Sequence, residues 1–156
     1  MALHRYTCQI GAAGAAAAEP LAAGTAETVL QLVAAATRWA TITEIGIGFD
    51  SVTASNVPAT VELMLQSTAG TSAAFTPLPD TPGMPAAITT CLHHFTAEPT
   101  TTTCLWSITV PVVGGTFVIQ APLDREIYTM PISTRVGLRI TSPSVVNVRG
   151  YMRFEE

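Results

Sequence analysis

His93 and His94 stand side by side, and Glu98 follows in the same segment. Imidazoles with a carboxylate are a ligand set for a transition-metal ion. A strand that chelates one ion, however, spaces its two histidines one residue apart, so that both project to the same side. Adjacent strand residues face opposite sides, and the remaining histidine is His4, near the start of the chain. The expectation is therefore no metal and no cofactor, with His93 and His94 as surface or half-buried strand residues. The three cysteines are Cys8, Cys91 and Cys104. They are odd in number and too few for a secreted disulfide framework, and synthesis in a reducing cytoplasm is the simpler reading. Cys91 and Cys104 flank a stretch, Ala97 to Thr100, expected to turn. If that hairpin is symmetric the two stand opposite each other, a geometry that admits a cross-strand disulfide formed after release from the cell. The alternative is that both are small buried hydrophobes.

Acid pairs add little. Asp124 and Glu126 flank Arg125 in a turn-like stretch that a solvated or ion-paired loop explains. There is no Gly-x-Ser-x-Gly elbow and no phosphate-binding glycine loop. With three histidines, three cysteines and no lysine, the inventory for acid–base or nucleophilic catalysis is thin. An enzyme is not expected.

Composition narrows the partners. The net charge is −4, and the seven basic residues are arginines scattered from Arg5 to Arg153. Nucleic acid, which calls for clustered cations, is not an expected partner. The longest apolar candidate, Val29 to Ala36, is interrupted by Gln31 and falls short of the roughly 18 apolar residues of a spanning helix. Gly11 to Ala18 lacks the Leu- and Val-rich core of a signal peptide, and no basic amphipathic helix suggests a membrane surface. Yet only 12% of residues are charged and the mean hydropathy is +0.40, against about 25% charged in an ordinary soluble domain. A surface this poor in charge suits a protein covered by other protein.

The elements that must position these residues read at period two, the mark of strands with one buried face. Val136, Leu138 and Ile140 alternate with Arg135, Gly137 and Arg139. Val146, Val148, Met152 and Phe154 alternate with Asn147, Arg149, Tyr151 and Arg153. Trp39, Ile45, Ile47 and Phe49 share a face; Val57, Ala59, Val61, Leu63 and Leu65 share another; Cys104, Trp106, Ile108 and Val110 a third. Further runs at Thr28 to Val33, Ile88 to Thr96 and Thr116 to Ala121 bring the expectation to eight strands. Turn signals at Gly114-Gly115 and Ser142-Pro143-Ser144 suggest hairpins. The expected fold is all-β: an eight-stranded antiparallel sandwich of the jelly-roll kind over residues 28–156. Twenty-four threonines suit pleated faces that are polar but uncharged.

Residues 1–27 read as a flexible N-terminal arm on an Ala/Gly-rich tether, because Gly14, Pro20 and Gly24 break any helix into short pieces. Leu3, Tyr6 and Ile10 are its candidate contacts with a neighbouring subunit; a disordered terminus is the bland alternative. Ala69 to Ala87, with Pro77, Pro79, Pro82 and Pro85, reads as a long loop. Its Phe75, Leu78 and Met84 are candidate docking residues, set against simple mobility.

The second half of the chain resembles small virion proteins of tailed bacteriophages. The likeness is carried by Thr96-Ala97-Glu98-Pro99-Thr100, by Pro122-Leu123-Asp124-Arg125-Glu126, and above all by the ending. That ending runs Arg135-Val136-Gly137-Leu138-Arg139-Ile140-Thr141, then Val145-Val146-Asn147-Val148, then Tyr151-Met152-Arg153-Phe154-Glu155-Glu156. It extends more weakly to Trp39 through Leu65 and leaves out the alanine-rich stretch. The resemblance implies a capsid decoration, or auxiliary, protein: a homo-oligomer such as a trimer on the outer head surface, clamping the major capsid protein of the virion. Two other readings stay open. One is a tail or filament subunit of the same fold. The other is a carbohydrate-binding sandwich using Trp39, Tyr128 and Tyr151. A cupin-like metalloenzyme fails on the adjacent histidines.

Overall fold

The computed structural model describes residues 4–11, 18–50, 57–122 and 125–156, and among these residues every regular element is a strand. The strands are β1 (Arg5–Gln9), β2 (Glu19–Leu21), β3 (Ala26–Val33), β4 (Ala40–Phe49), β5 (Ala59–Gln66), β6 (Thr71–Phe75) and β7 (Leu78–Pro79). They continue with β8 (Thr90–Ala97), β9 (Thr101–Val110), β10 (Thr116–Gln120), β11 (Tyr128–Met130), β12 (Arg135–Thr141) and β13 (Val146–Glu155). The expected eight are thus thirteen, because several short strands fill edges that sequence alternation is too brief to mark.

Two antiparallel sheets result. In the seven-stranded one, the long strands β4 and β13 form the spine. β10 and β11 pair successively with the free side of β4, while β1 and β2 pair successively with the free side of β13, and β7 lies beyond β1. The six-stranded sheet runs β6-β8-β3-β12-β5-β9. Among the described residues no two strands consecutive in sequence pair with each other. The segments at Gly114-Gly115 and Ser142-Pro143-Ser144 accordingly carry the chain from one sheet to the other and do not close hairpins.

Alternation does what the period-two pattern demands. Val136, Leu138 and Ile140 of β12 are wholly buried, registered beside Leu32 and Leu30 of β3 and beside Leu63 and Val61 of β5. From the other sheet, Tyr6, Cys8, Ile45, Ile47, Met152 and Phe154 enter the same hydrophobic cluster, with the Tyr6 and Phe154 rings stacked at 5.5 Å. Burying each large side chain contributes about 1.5–3 kcal/mol, so the two sheets are held face to face by this shared core.

The opposite side of β3 is buried too. Gln31 donates through Nε2 to Gln66 Oε1 (2.6 Å) and to the Thr68 carbonyl (3.0 Å), and Gln66 Nε2 donates to Thr28 Oγ1 (3.0 Å). The connections 67–70 and 98–100 lie over this face, joined by the Ser67 N–H to the Thr100 carbonyl and by the Thr28 N–H to Glu98. A buried amide loses water, and these bonds replace it.

The N-terminal segment departs from the expected free arm. β1 lies between β13 and β7, and Tyr6 and Ile10 are core residues. Its alternating Tyr6, Cys8 and Ile10 have a buried face to satisfy, and β13 offers an open edge. Leu3 lies outside the described residues.

Candidate functional site

The expected loop Ala69 to Ala87 is largely committed to its own chain. β6 pairs with β8 and β7 with β1. Phe75 is buried against the ring of His93, Leu78 stays exposed on β7, and Met84 is half-buried. Tyr6 donates its hydroxyl to the Pro85 carbonyl (2.9 Å), and burial pushes that phenol's pKa up. Glu156, itself buried, accepts from the N–H groups of Ile88 (2.6 Å) and Thr89 (2.9 Å). Of the six contact candidates, Leu78 alone is fully presented at the surface among the described residues.

Cys91 and Cys104 do not face each other. Residues 98–100 are no hairpin turn: β3, β12 and β5 separate β8 from β9. Cys91 sits in the core beside Leu32 and Phe75, while Cys104 is exposed on the sheet rim, and both are free thiols.

His93 is buried and His94 exposed, and the strand is irregular between them. His94 has a left-handed backbone (φ 53°), and β8 carries extra residues against β6 in this stretch. Such a bulge re-aims a side chain. Both imidazoles consequently border one cleft of about 250 Å³, with Glu19 on the far wall. His94 Nδ1 meets both Glu19 carboxylate oxygens at 3.1 Å. Buried His93 has its pKa lowered by desolvation, and its Nδ1 has no hydrogen-bond partner. Among the described residues no three His, Cys, Asp or Glu side chains are placed to hold a metal ion, and Glu98 is engaged with Thr28 instead.

The outer face of the seven-stranded sheet carries a polar cluster. Arg5 pairs with Glu155 (2.7 Å), Arg153 with Glu44 (3.2 Å), and the Tyr151 hydroxyl donates to Glu44. That bond to an acceptor carboxylate raises the Tyr151 pKa. The Tyr151 ring lies directly over Gly46, where a Cβ would strike it. Beside it a trough of about 310 Å³ is floored by glycines and edged by Gln9, Thr116 and Arg149. The carbohydrate-platform candidates do not assemble: Met130 of β11 sits opposite Ala40 and Tyr128 opposite Ile42, whereas Tyr151 sits opposite Gly46, and Trp39 precedes β4.

The feature with the widest consequence is one the sequence pattern left unassigned. β9 is the rim of the six-stranded sheet and pairs with β5 alone, so ten residues present one unpaired backbone edge. β10 is the rim of the other sheet on the same side of the molecule, joined to β9 through residues 111–115. Trp106 and Phe117 touch across the gap, ring edge to face, at 6.2 Å. Ile108 (36% exposed) and Ile119 (37%) lie along it, with Val113 (47%) and Val118 (56%) nearby. Neither strand contains a charged residue. Natural sheets guard such edges with lysine, proline or an inward charge, since an unguarded edge recruits another strand. The cue in the sequence is fifteen strand residues without one charge, but only the topology shows that they lie at two rims.

No protein-family model, curated protein or solved structure matches this chain.

Proposed function

We propose that this chain is a non-enzymatic virion structural protein: a capsid decoration subunit that oligomerises, as a trimer in the simplest arrangement, and stabilises a phage head by binding the major capsid protein. The observation that carries the assembly reading is the uncharged double rim of β9 and β10, whose open backbone edge and apolar seam fit another strand-bearing protein surface. The virion setting is supported by the likeness of β12 and β13 to tailed-phage proteins. A jelly-roll description is supported by two facing sheets in which, among the described residues, the strands pair without hairpins.

The test is a charge on the rim. Ile108→Lys and Ser107→Lys should keep the melting temperature near that of the wild type, lower the oligomer mass measured by light scattering, and weaken co-sedimentation with phage heads. A wild-type chain that stays monomeric at high concentration, or lysine variants that assemble as the wild type does, would refute the reading. A glycan-binding sandwich is the second reading, favoured by the polar-edged trough beside Tyr151. Loss of glycan-array binding in Tyr151→Ala, with assembly intact, would promote it.

A further inference from the structure

β1 and β8 belong to different sheets, yet their cysteines meet in the core. Cys8 points inward between Tyr6 and Ile10, and Cys91 points inward beside Leu32 and Phe75. Both are wholly buried members of one hydrophobic cluster: Thr7 pairs with Leu78, Cys91 pairs with Phe75 three residues earlier, and the two thiols act on each other as neighbours. Cys104 is elsewhere, on the β9 rim, with Sγ 3.3 Å from the Trp106 carbonyl.

We propose that Cys8 and Cys91 form an inter-sheet disulfide when the protein meets a low-molecular-weight disulfide oxidant. One cysteine thiolate attacks a sulfur of the oxidant, its S–S bond breaks, and one small thiol leaves. The second cysteine, as thiolate, attacks the mixed disulfide, the protein S–S bond forms, and the second small thiol leaves. The cysteines lose two electrons to the oxidant; the two protons they release are taken up by the departing thiolates or by water.

Burial gives this pair its character. Desolvation and the adjacent thiol hold Cys8 in its protonated form, so attack inside the closed core is slow. Closure accompanies folding, or opening of the short β1 strand, and the finished bridge is shielded from reductants. It would tie β1 to the opposite sheet across a loop of about 80 residues, a long loop whose closure removes much entropy from the unfolded chain. The bridge stands apart from the β9 rim and does not depend on the assembly reading.

The experiment refolds the full chain in glutathione buffers of graded oxidised-to-reduced ratio, then blocks free thiols with an alkylating agent under denaturing conditions. Cleavage after aromatic residues separates Cys91 from Cys104 at Phe95, so the two can be told apart by mass. The expected result is a mass lower by two hydrogens, one alkylated residue at Cys104, and a linked pair of peptides carrying Cys8 and Cys91. Cys104→Ser should retain the bridge; Cys8→Ala should leave Cys91 alkylated and lose the change in melting temperature on adding reductant. Three alkylated cysteines under fully oxidising conditions, or a bridge through Cys104, would overturn the proposal.

Discussion

Gly137 sits in the middle of β12, opposite Gln31 on one side and Met64 on the other. Its backbone is not left-handed, so an alanine is conformationally acceptable, and taken alone the change would stabilise the fold by about 0.4–1 kcal/mol through the unfolded chain. Space decides otherwise. A Cβ built there would overlap Oε1 and Cδ of Gln66. The Gln66 amide must leave, breaking its bonds to Gln31 and Thr28. Two such bonds contribute about 1–3 kcal/mol together, and stranding a buried donor costs about 1–3 more. The net expectation for Gly137→Ala is destabilisation by about 1–5 kcal/mol, read as a lower urea midpoint with unchanged slope. In a chain of this length that corresponds to about 2–20 °C of melting temperature. The decisive comparison is a double-mutant cycle: in a Gln66→Ala background the same substitution should be nearly neutral. A single variant as stable as the wild type, or an equal cost in both backgrounds, would refute the reasoning.

Glu156→Ala should destabilise the protein by about 2–5 kcal/mol in urea, because the Ile88 and Thr89 amides lose charge-assisted partners in a buried setting. Glu155→Ala, which removes a pair with half-exposed Arg5, should cost no more than about 1 kcal/mol; equal losses for the two would contradict this account. For His93 the native pKa lies below the ordinary 6.5, so beneath that pH the unfolded chain binds the extra proton. Stability attached to His93 is thus full above pH 6.5 and declines as pH falls through 6.5 toward the lowered native value. The melting temperature should drop between about pH 7.5 and pH 5, and the drop should shrink in His93→Gln with Glu19 and His94 left in place. A drop of the same size in His93→Gln would assign the dependence to other groups.

Much of the fold was legible where alternation runs uninterrupted. On β13 the pattern Val146, Val148, Met152, Phe154 is the buried set, and on β12 Val136, Leu138 and Ile140 are. Legibility fails at bulges. On β4 the buried apolar side chains are Ala40 and Ile42, then Ile45, Ile47 and Phe49, because the pairing with β13 shifts between Arg153 and Phe154. One extra residue flips the face, which is why Trp39, assigned to the face of Ile45, is 58% exposed. The same event in β8 brought two adjacent histidines to one cleft. Turn positions were legible from Gly, Pro and Ser, but a turn residue specifies a change of direction and not the strand it delivers the chain to. That gap misplaced Cys91 against Cys104. The β1 alternation was present in Tyr6, Cys8 and Ile10, yet its partner strand lies at the other end of the chain, where local pattern cannot find it.

That separation has a price in time. Arg5 and Glu155 are 150 positions apart, and at about 5–20 residues per second a ribosome leaves the first strand waiting roughly 8–30 s for its neighbour. Until then Tyr6 lacks the Phe154 ring it stacks on, and β4 has no β13 beside it. Incomplete chains with apolar strands still unpaired are prone to aggregate, so expression at lower temperature or with added holdase should raise the soluble yield.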